Sequence, residues 1–245
     1  MIETIKIKNV KYFKEDILLK LGNYPTLEII GNNNSGKTTI LRCLEEINNF
    51  IKGEVTSKNL EYISNYNEVF IYEISFIINE KKFQYEYRIQ NNSIIYERLS
   101  GQYDSYFKDI YVKNESSIKL GKQVTGDIKK YLELIKLDEK RLILPFLRHT
   151  KDNDLFSAIF DVLTNWKFIY KYENEEQSSK IKVTKILDSL NDTYSLMLFD
   201  NLYDGLDTDM IGILLEFMIR NTQIIYTSVK QNIKIEKEDH NTYLL

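Results

Sequence analysis

The chain has 245 residues, 43% of them apolar and 28% charged, and a formal net charge of −3. That is enough apolar chain to bury a full core in one α/β domain, with room for an inserted lobe. The acidic balance excludes a protein coated in basic charge for nucleic acid, although a local basic patch stays open. One cysteine, Cys43, excludes a disulfide framework and a cysteine-based metal site.

No apolar run reaches the length of a membrane span, and the start MIETIKIKNVKYFKED lacks the apolar core of a signal peptide. A reducing cytoplasm is the expected setting. No repeat of fixed period is visible.

In chain order, Ile2, Ile5, Ile7 and Val10 predict an opening strand, and Ile17, Leu19 and Leu21 alternate as a second. The turn Gly22-Asn23-Tyr24-Pro25 leads into a short buried strand, Thr26-Leu27-Glu28-Ile29-Ile30. Next comes Gly31-Asn32-Asn33-Asn34-Ser35-Gly36-Lys37-Thr38-Thr39, which satisfies G-x-x-x-x-G-K-[ST], the phosphate-binding loop of P-loop NTPases. Behind it, Ile40, Leu41, Leu44, Ile47 and Ile51 fall at helical spacing, so strand, loop and helix supply the context the motif needs.

The chemistry follows from the backbone. Gly31 and Gly36 permit close approaches and φ values that a Cβ would block, so the N–H groups from Asn32 to Thr39 can turn toward phosphate. The helix N-terminus adds its partial positive charge. Lys37 would reach the β- and γ-phosphates, and Thr38 would offer its hydroxyl to Mg²⁺. The ligand set read here is Asn32, Asn33, Asn34, Ser35, Gly36, Lys37, Thr38 and Thr39, with ATP and Mg²⁺ as cofactors.

Beyond the helix, Val69–Ile78, Phe83–Ile89 and Ser93–Leu99 predict an antiparallel meander, separated by Asn79-Glu80-Lys81-Lys82 and by Asn91-Asn92. From about Tyr103 to Asp192 the pattern is mainly helical. Ile128, Tyr131, Leu132, Leu134 and Ile135 form one apolar stripe, and Leu155, Ile159, Phe160, Leu163 and Trp166 a second, both read as core. The charged run from Lys171 to Lys185 reads as a solvated connection. Arg148 reads as an exposed arginine, and Phe13 divides evenly between a ring for adenine and a packed turn residue. The fragment Leu99-Ser100-Gly101-Gln102 is a strand end plus a turn.

The second chemical stretch is Tyr194-Ser195-Leu196-Met197-Leu198-Phe199-Asp200, an apolar strand ending in a carboxylate that would hold Mg²⁺ beside Thr38. Asn201-Leu202-Tyr203-Asp204-Gly205-Leu206-Asp207 comes directly after it, and a closing strand spans Thr222–Ser228.

With IKNVKYFKED at the start, GNNNSGKTT in the loop and LMLFDNLYDGLD near the end, the chain resembles the ABC-type ATPases of the RecF/SMC/OLD branch. That branch includes small stand-alone ATPases of bacterial defence operons. The resemblance covers nearly the whole chain, the middle by architecture rather than by residues. It implies an α/β P-loop NTPase of ABC type with an antiparallel β-meander and a helical insertion lobe. Residues 1–245 would form a single ATPase domain. Residues 1–102 would carry the loop and meander, 103–192 the mainly helical lobe, and 193–245 the Walker B strand, D-loop and closing strands.

It also implies a head-to-tail dimer with itself or a homologous ATPase subunit, sandwiching ATP, and a separate effector protein. A nucleic-acid partner stays open and a membrane is not expected. Three departures stand out. The catalytic Glu position is Asn201, whose amide can hold a water but cannot take its proton. The switch His position, after Thr227-Ser228, is Val229, and the two histidines, His149 and His240, lie elsewhere. No clean signature loop precedes the Walker B strand, the nearest candidate being Ser178-Ser179-Lys180.

The expected function is therefore an ATP-binding subunit that dimerises on ATP and controls an effector, with weak hydrolysis. A DNA-associated ATPase whose missing groups arrive in trans, or from Asp204 or Asp207, is the alternative. A transporter ATP-binding subunit and a small-molecule kinase fit less well.

Overall fold

The computed structural model describes residues 1–63, 68–115, 117–122, 124, 139–148, 154–170, 193–202, 212, 216, 222–229 and 240–245. In chain order the elements are β1 (Ile2–Lys8), β2 (Ile17–Lys20), β3 (Thr26–Ile30), α1 (Lys37–Lys52), a 3₁₀ turn (Ser57–Tyr62), β4 (Phe70–Ile78), β5 (Lys81–Gln90) and β6 (Ser93–Tyr103). They continue with β7 (Tyr106–Asn114), β8 (Ser117–Leu120), α2 (Leu144–Leu147), α3 (Asp154–Thr164), β9 (Trp166–Ile169), β10 (Leu196–Phe199), β11 (Gln223–Ser228) and β12 (His240–Leu244). Two compact units share them. One comprises Met1–Leu19 and Cys43–Thr164, the other Lys20–Arg42 and Asn165–Leu245, so the division runs through α1.

The first unit is built on a seven-stranded sheet of order β2-β1-β4-β5-β6-β7-β8. The meander arises from strict alternation. Phe70, Tyr72, Ile74 and Phe76 of β4 and Phe83, Tyr85, Tyr87 and Ile89 of β5 are all buried, while their neighbours along each strand are more open. The two hairpins turn on Asn79-Glu80 and Asn91-Asn92, all four residues at positive φ, as two-residue turns with right-handed strand twist require. The first turn is shorter than expected, because Lys81 and Lys82 already pair with Ile78 and Ile77.

Against this face lies the second half of α1, where Phe50 meets the Tyr87 ring edge-on at 5.3 Å. Cys43 is fully buried, and burial pushes its thiol up to about 12, so it serves as a small inert core residue. Asn48, also on α1, donates to the carbonyls of Leu163 (3.0 Å) and Thr164 (3.3 Å) and so satisfies the C-terminal end of α3.

The stretch from Tyr103 onward departs from the helical expectation. It opens with β7 and β8, which extend the meander. The reason is a bulge: Leu99 pairs with Tyr111 but Ser100 with Asp109, leaving Ile110 unpaired and putting Ile110 and Tyr111 in the core consecutively. That phase slip erases the alternation a strand should show. Leu99-Ser100-Gly101-Gln102 likewise lies inside β6 rather than at a strand end, with the turn at Asp104. In α3, Phe156 is buried and Leu155 half-buried. Trp166 is no part of that helix but opens β9. The stripe from Ile128 to Ile135 and the run from Lys171 to Lys185 lie outside the described residues. Arg148 is exposed as expected, its guanidinium 4.8 Å above the Phe160 ring. The Phe13 N–H bonds to the Val10 carbonyl at 3.0 Å and closes a turn.

A buried carboxylate fastens the segment around α2 to the sheet. Glu97 of β6 accepts from the hydroxyls of Tyr85 (2.9 Å) and Tyr111 (2.8 Å) and from the backbone N–H groups of Ile143 (2.7 Å) and Leu144 (3.2 Å). Burial nonetheless raises its pKa above the ordinary carboxylate value, against the lowering pull of the Ile143 N–H, Lys113 and the two hydroxyls. A raised folded pKa means that this group adds stability below the unfolded pKa, and that the contribution fades as pH rises through the folded value. The wild type is therefore expected to gain melting temperature relative to Glu97→Gln as pH falls from about 8 to about 5. Glu97→Ala, which strands four buried donors, should cost at least ~3 kcal/mol, read as a drop of ~6 °C or more in a thermal melt.

The second unit is a five-stranded sheet of order β12-β3-β11-β10-β9, every pair parallel. Its inner strands are almost continuously buried, the pattern of a sheet covered on both faces. Register aligns the ends of these strands. Ile30 pairs with Ser228 and Phe199 with Tyr226. One residue further, Gly31 lies level with Val229, and Asp200 with Thr227.

Candidate nucleotide and metal site

The carboxyl ends of parallel strands, at a point where the chain order reverses, are where open α/β sheets place ligands. Here β11 separates β3 from β10, and the loop Gly31–Gly36 leaves β3 at that edge. Gly31 is required by close approach, since a Cβ there would sit 2.3 Å from Ser35 Oγ and 3.1 Å from Leu245 Cβ. Asn34 and Gly36 hold φ of 64° and 103°, and the Ser35 N–H closes on the Asn32 carbonyl at 3.2 Å. Helix bonding starts with the Ile40 N–H on the Gly36 carbonyl, 3.0 Å, so the N–H groups of Lys37, Thr38 and Thr39 precede the first helical bond. No acidic side chain occupies that first turn to compete for an anion.

Lys37 folds back over the loop, its Nζ donating to the carbonyls of Gly31 and Asn32, both at 2.7 Å. Burial lowers its pKa, and the Asp200 carboxylate works against that lowering. An ammonium has three protons, so one remains for an anionic oxygen. Thr38 Oγ1 donates to Asp200, 3.1 Å from Oδ1 and 2.9 Å from Oδ2. Two residues 162 positions apart are thus brought within one hydrogen bond. The donor set, one hydroxyl and one carboxylate, is hard oxygen of the kind Mg²⁺ takes together with phosphate oxygens and water. Among the described residues no cluster of three or more His, Cys, Asp or Glu exists to hold a metal without such help.

Thr227 of β11 completes the arrangement. Its hydroxyl donates to Asp200 Oδ1 at 2.9 Å and accepts the Asn201 N–H at 2.7 Å. Asn201 sits at φ 55°, a left-handed conformation that asparagine tolerates better than most residues. Val229, 38% exposed, comes directly after β11 at the level of Gly31. The structure therefore brings Lys37, Thr38, Asp200, Asn201 and Val229 to one edge of one sheet. His240 opens β12 opposite Thr26, at the other end of the strand, about 13 Å along it from the loop. His149, Ser178-Ser179-Lys180, Asp204 and Asp207 lie outside the described residues. The sequence reading missed the bond that Thr227 makes; a buried polar residue beside Ser228 at the carboxyl end of β11 was the available signal.

A parallel sheet with a glycine-bounded loop, a lysine over it and a threonine–aspartate pair at its edge defines an α/β fold of P-loop NTPase type. A family model described as "AAA domain, putative AbiEii toxin, Type IV TA system" matches residues 29–161, more than half of the chain. The chain belongs to that family. Among solved structures it is similar to an SMC head domain from Thermotoga maritima, at 14% identity and TM-score 0.42, covering 94% of this chain and 89% of that one. It is also similar to a putative ABC transporter (ATP-binding protein) from Pyrococcus furiosus, at 15% identity and TM-score 0.38, covering 99% and 98%. No curated protein matches the chain. No described helix is long and apolar enough to cross a membrane.

ATP with Mg²⁺ is expected to raise the melting temperature. At ~100 times Kd the gain is about 2.7 kcal/mol, or ~5–10 °C for a chain of this size. Lys37→Ala should abolish most of the shift, as differential scanning fluorimetry with and without nucleotide would show.

Proposed function

We propose that this chain is an ATP- and Mg²⁺-binding subunit that pairs head to tail with a second copy or a homologous subunit and thereby controls a separate effector. Asn32 to Thr39 would cradle the phosphates, Lys37 would neutralise their charge, and Thr38 with Asp200 would hold the cation. The observation that carries the reading is the split at the sheet edge. The binding groups Lys37, Thr38 and Asp200 are joined within one constellation, while the positions beside it hold an amide and a valine. General-base assistance is worth ~10²–10⁴-fold in rate, so its loss leaves a slow timer or a static ATP holder.

The family's description as a putative toxin of a Type IV TA system supports a defence setting. The single, buried cysteine supports a reducing cytoplasm.

Multiple-turnover phosphate release tests the hydrolytic part. The isolated chain is expected to turn over far below ~1 s⁻¹, the lower end of ordinary enzyme rates. A rate at or above that, abolished by Lys37→Ala, would establish a competent ATPase. Asn201→Glu should raise turnover while lowering the melting temperature by ~2–4 °C, because a glutamate in the left-handed region costs about 1 kcal/mol. Light scattering tests assembly: ATP should increase the dimer fraction, and a monomer unchanged by ATP would exclude self-pairing. Turnover that rises only when DNA or a partner subunit is added would favour the reading in which catalytic groups arrive in trans.

A further inference from the structure

We propose that Thr227 is a positioning residue for the Mg²⁺-binding carboxylate, setting which oxygen of Asp200 faces the cation. The inference rests on the ATP·Mg²⁺ reading above and extends it to a residue with no role in that reading.

Thr227 is fully buried in β11. Its hydroxyl has a single proton, which goes to Asp200 Oδ1, and a lone pair of the same oxygen takes the Asn201 N–H. Its carbonyl accepts the Leu202 N–H at 3.3 Å. One residue of the neighbouring strand therefore holds three consecutive positions just past the end of β10. An aspartate carboxylate turns about a broad terminal torsion and is not fixed by its own backbone. Among the described residues, Oδ1 receives both threonine hydroxyls, whereas Oδ2 receives only that of Thr38. Oδ2 thus keeps the greater acceptor capacity, and Thr227 is what makes the two oxygens unequal.

The same bond fixes Asn201. With its N–H committed to Thr227 Oγ1 and φ at 55°, the backbone reverses immediately after Asp200. Loss of the hydroxyl would free both the carboxylate plane and that reversal. The phosphate cradle formed by Gly31, Gly36 and Lys37 has no bond to Thr227 among those described, so binding of metal-free nucleotide should be spared.

The test is the affinity of a fluorescent ATP analogue, mant-ATP, measured in Mg²⁺ and again in EDTA. Thr227→Val keeps the branched shape and removes the hydroxyl; it should cut the affinity gained from Mg²⁺ about tenfold and leave the EDTA affinity within about twofold. Thr227→Ser should restore the Mg²⁺ gain. Should the valine variant fail to fold, Thr227→Cys, with a weak S–H donor, should show an intermediate loss. Equal weakening in Mg²⁺ and EDTA, an unchanged Mg²⁺ gain in the valine or cysteine variant, or a serine variant no better than valine would each overturn the proposal. Wild type that binds mant-ATP in neither condition overturns the nucleotide reading and this role with it. Wild type that binds equally in both overturns this role and leaves the nucleotide reading standing.

Discussion

The Asp200 carboxylate is the point on which the second unit's chemistry depends. Three stretches converge on it: β10 carries it, Thr38 at the start of α1 donates to both its oxygens, and Thr227 of β11 donates to one. Convergence is a consequence of parallel register. Because Phe199 pairs with Tyr226 and Ile30 with Ser228, the ends of β10, β11 and β3 finish within a residue or two of each other. An antiparallel pairing would have sent one of these ends to the opposite edge. That register matters because a one-residue slip of β10 would carry the Asp200 carboxylate off the level of Thr227.

How legible this was depended on whether the signal was local. The phosphate loop was read with its strand and helix because glycine spacing, a buried run and helical periodicity sit side by side in sequence; Thr26–Ile30 is the observed strand residue for residue. The first hairpins were equally plain, since Asn79-Glu80 and Asn91-Asn92 are local turn chemistry between alternating strands. The signal failed where a distant partner decided the outcome. The bulge at Ile110 is imposed by pairing with β6 and breaks the period on which a strand is recognised. Glu97 looks like an ordinary surface glutamate on a strand until Ile143 and Leu144, 46 and 47 residues away, are seen to bond to it. Thr227 has little local signal, because its bonds reach back 26 and 27 residues to the end of a different strand.

Asn201 shows how one residue can be chosen twice over. On the proposed reading it stands where a general base would act, and an amide cannot replace one. Conformationally it suits a left-handed position whose N–H is claimed by Thr227, where a side chain that tolerates positive φ relieves strain. A glutamate would supply the base and oppose the backbone at the same time. The amide at this position therefore fits the shape of the strand end, whatever it does to rate.

Two carboxylates, one in each unit, illustrate what separates architecture from a site. Glu97 is enclosed and meets two backbone N–H groups whose directions are fixed by the chain, together with two tyrosine hydroxyls buried beside it. Nothing there can be exchanged without unfolding the segment around α2, and because burial outweighs these donors the pKa stays raised. Among the described residues, the hydrogen bonds to the Asp200 carboxylate come from hydroxyls, those of Thr38 and Thr227. A hydroxyl rotates, so Thr38 can turn a lone pair toward a cation while Thr227 keeps the carboxylate in place. Fixed donors make a strut, whereas rotatable donors at a strand end make a place where an ion can enter.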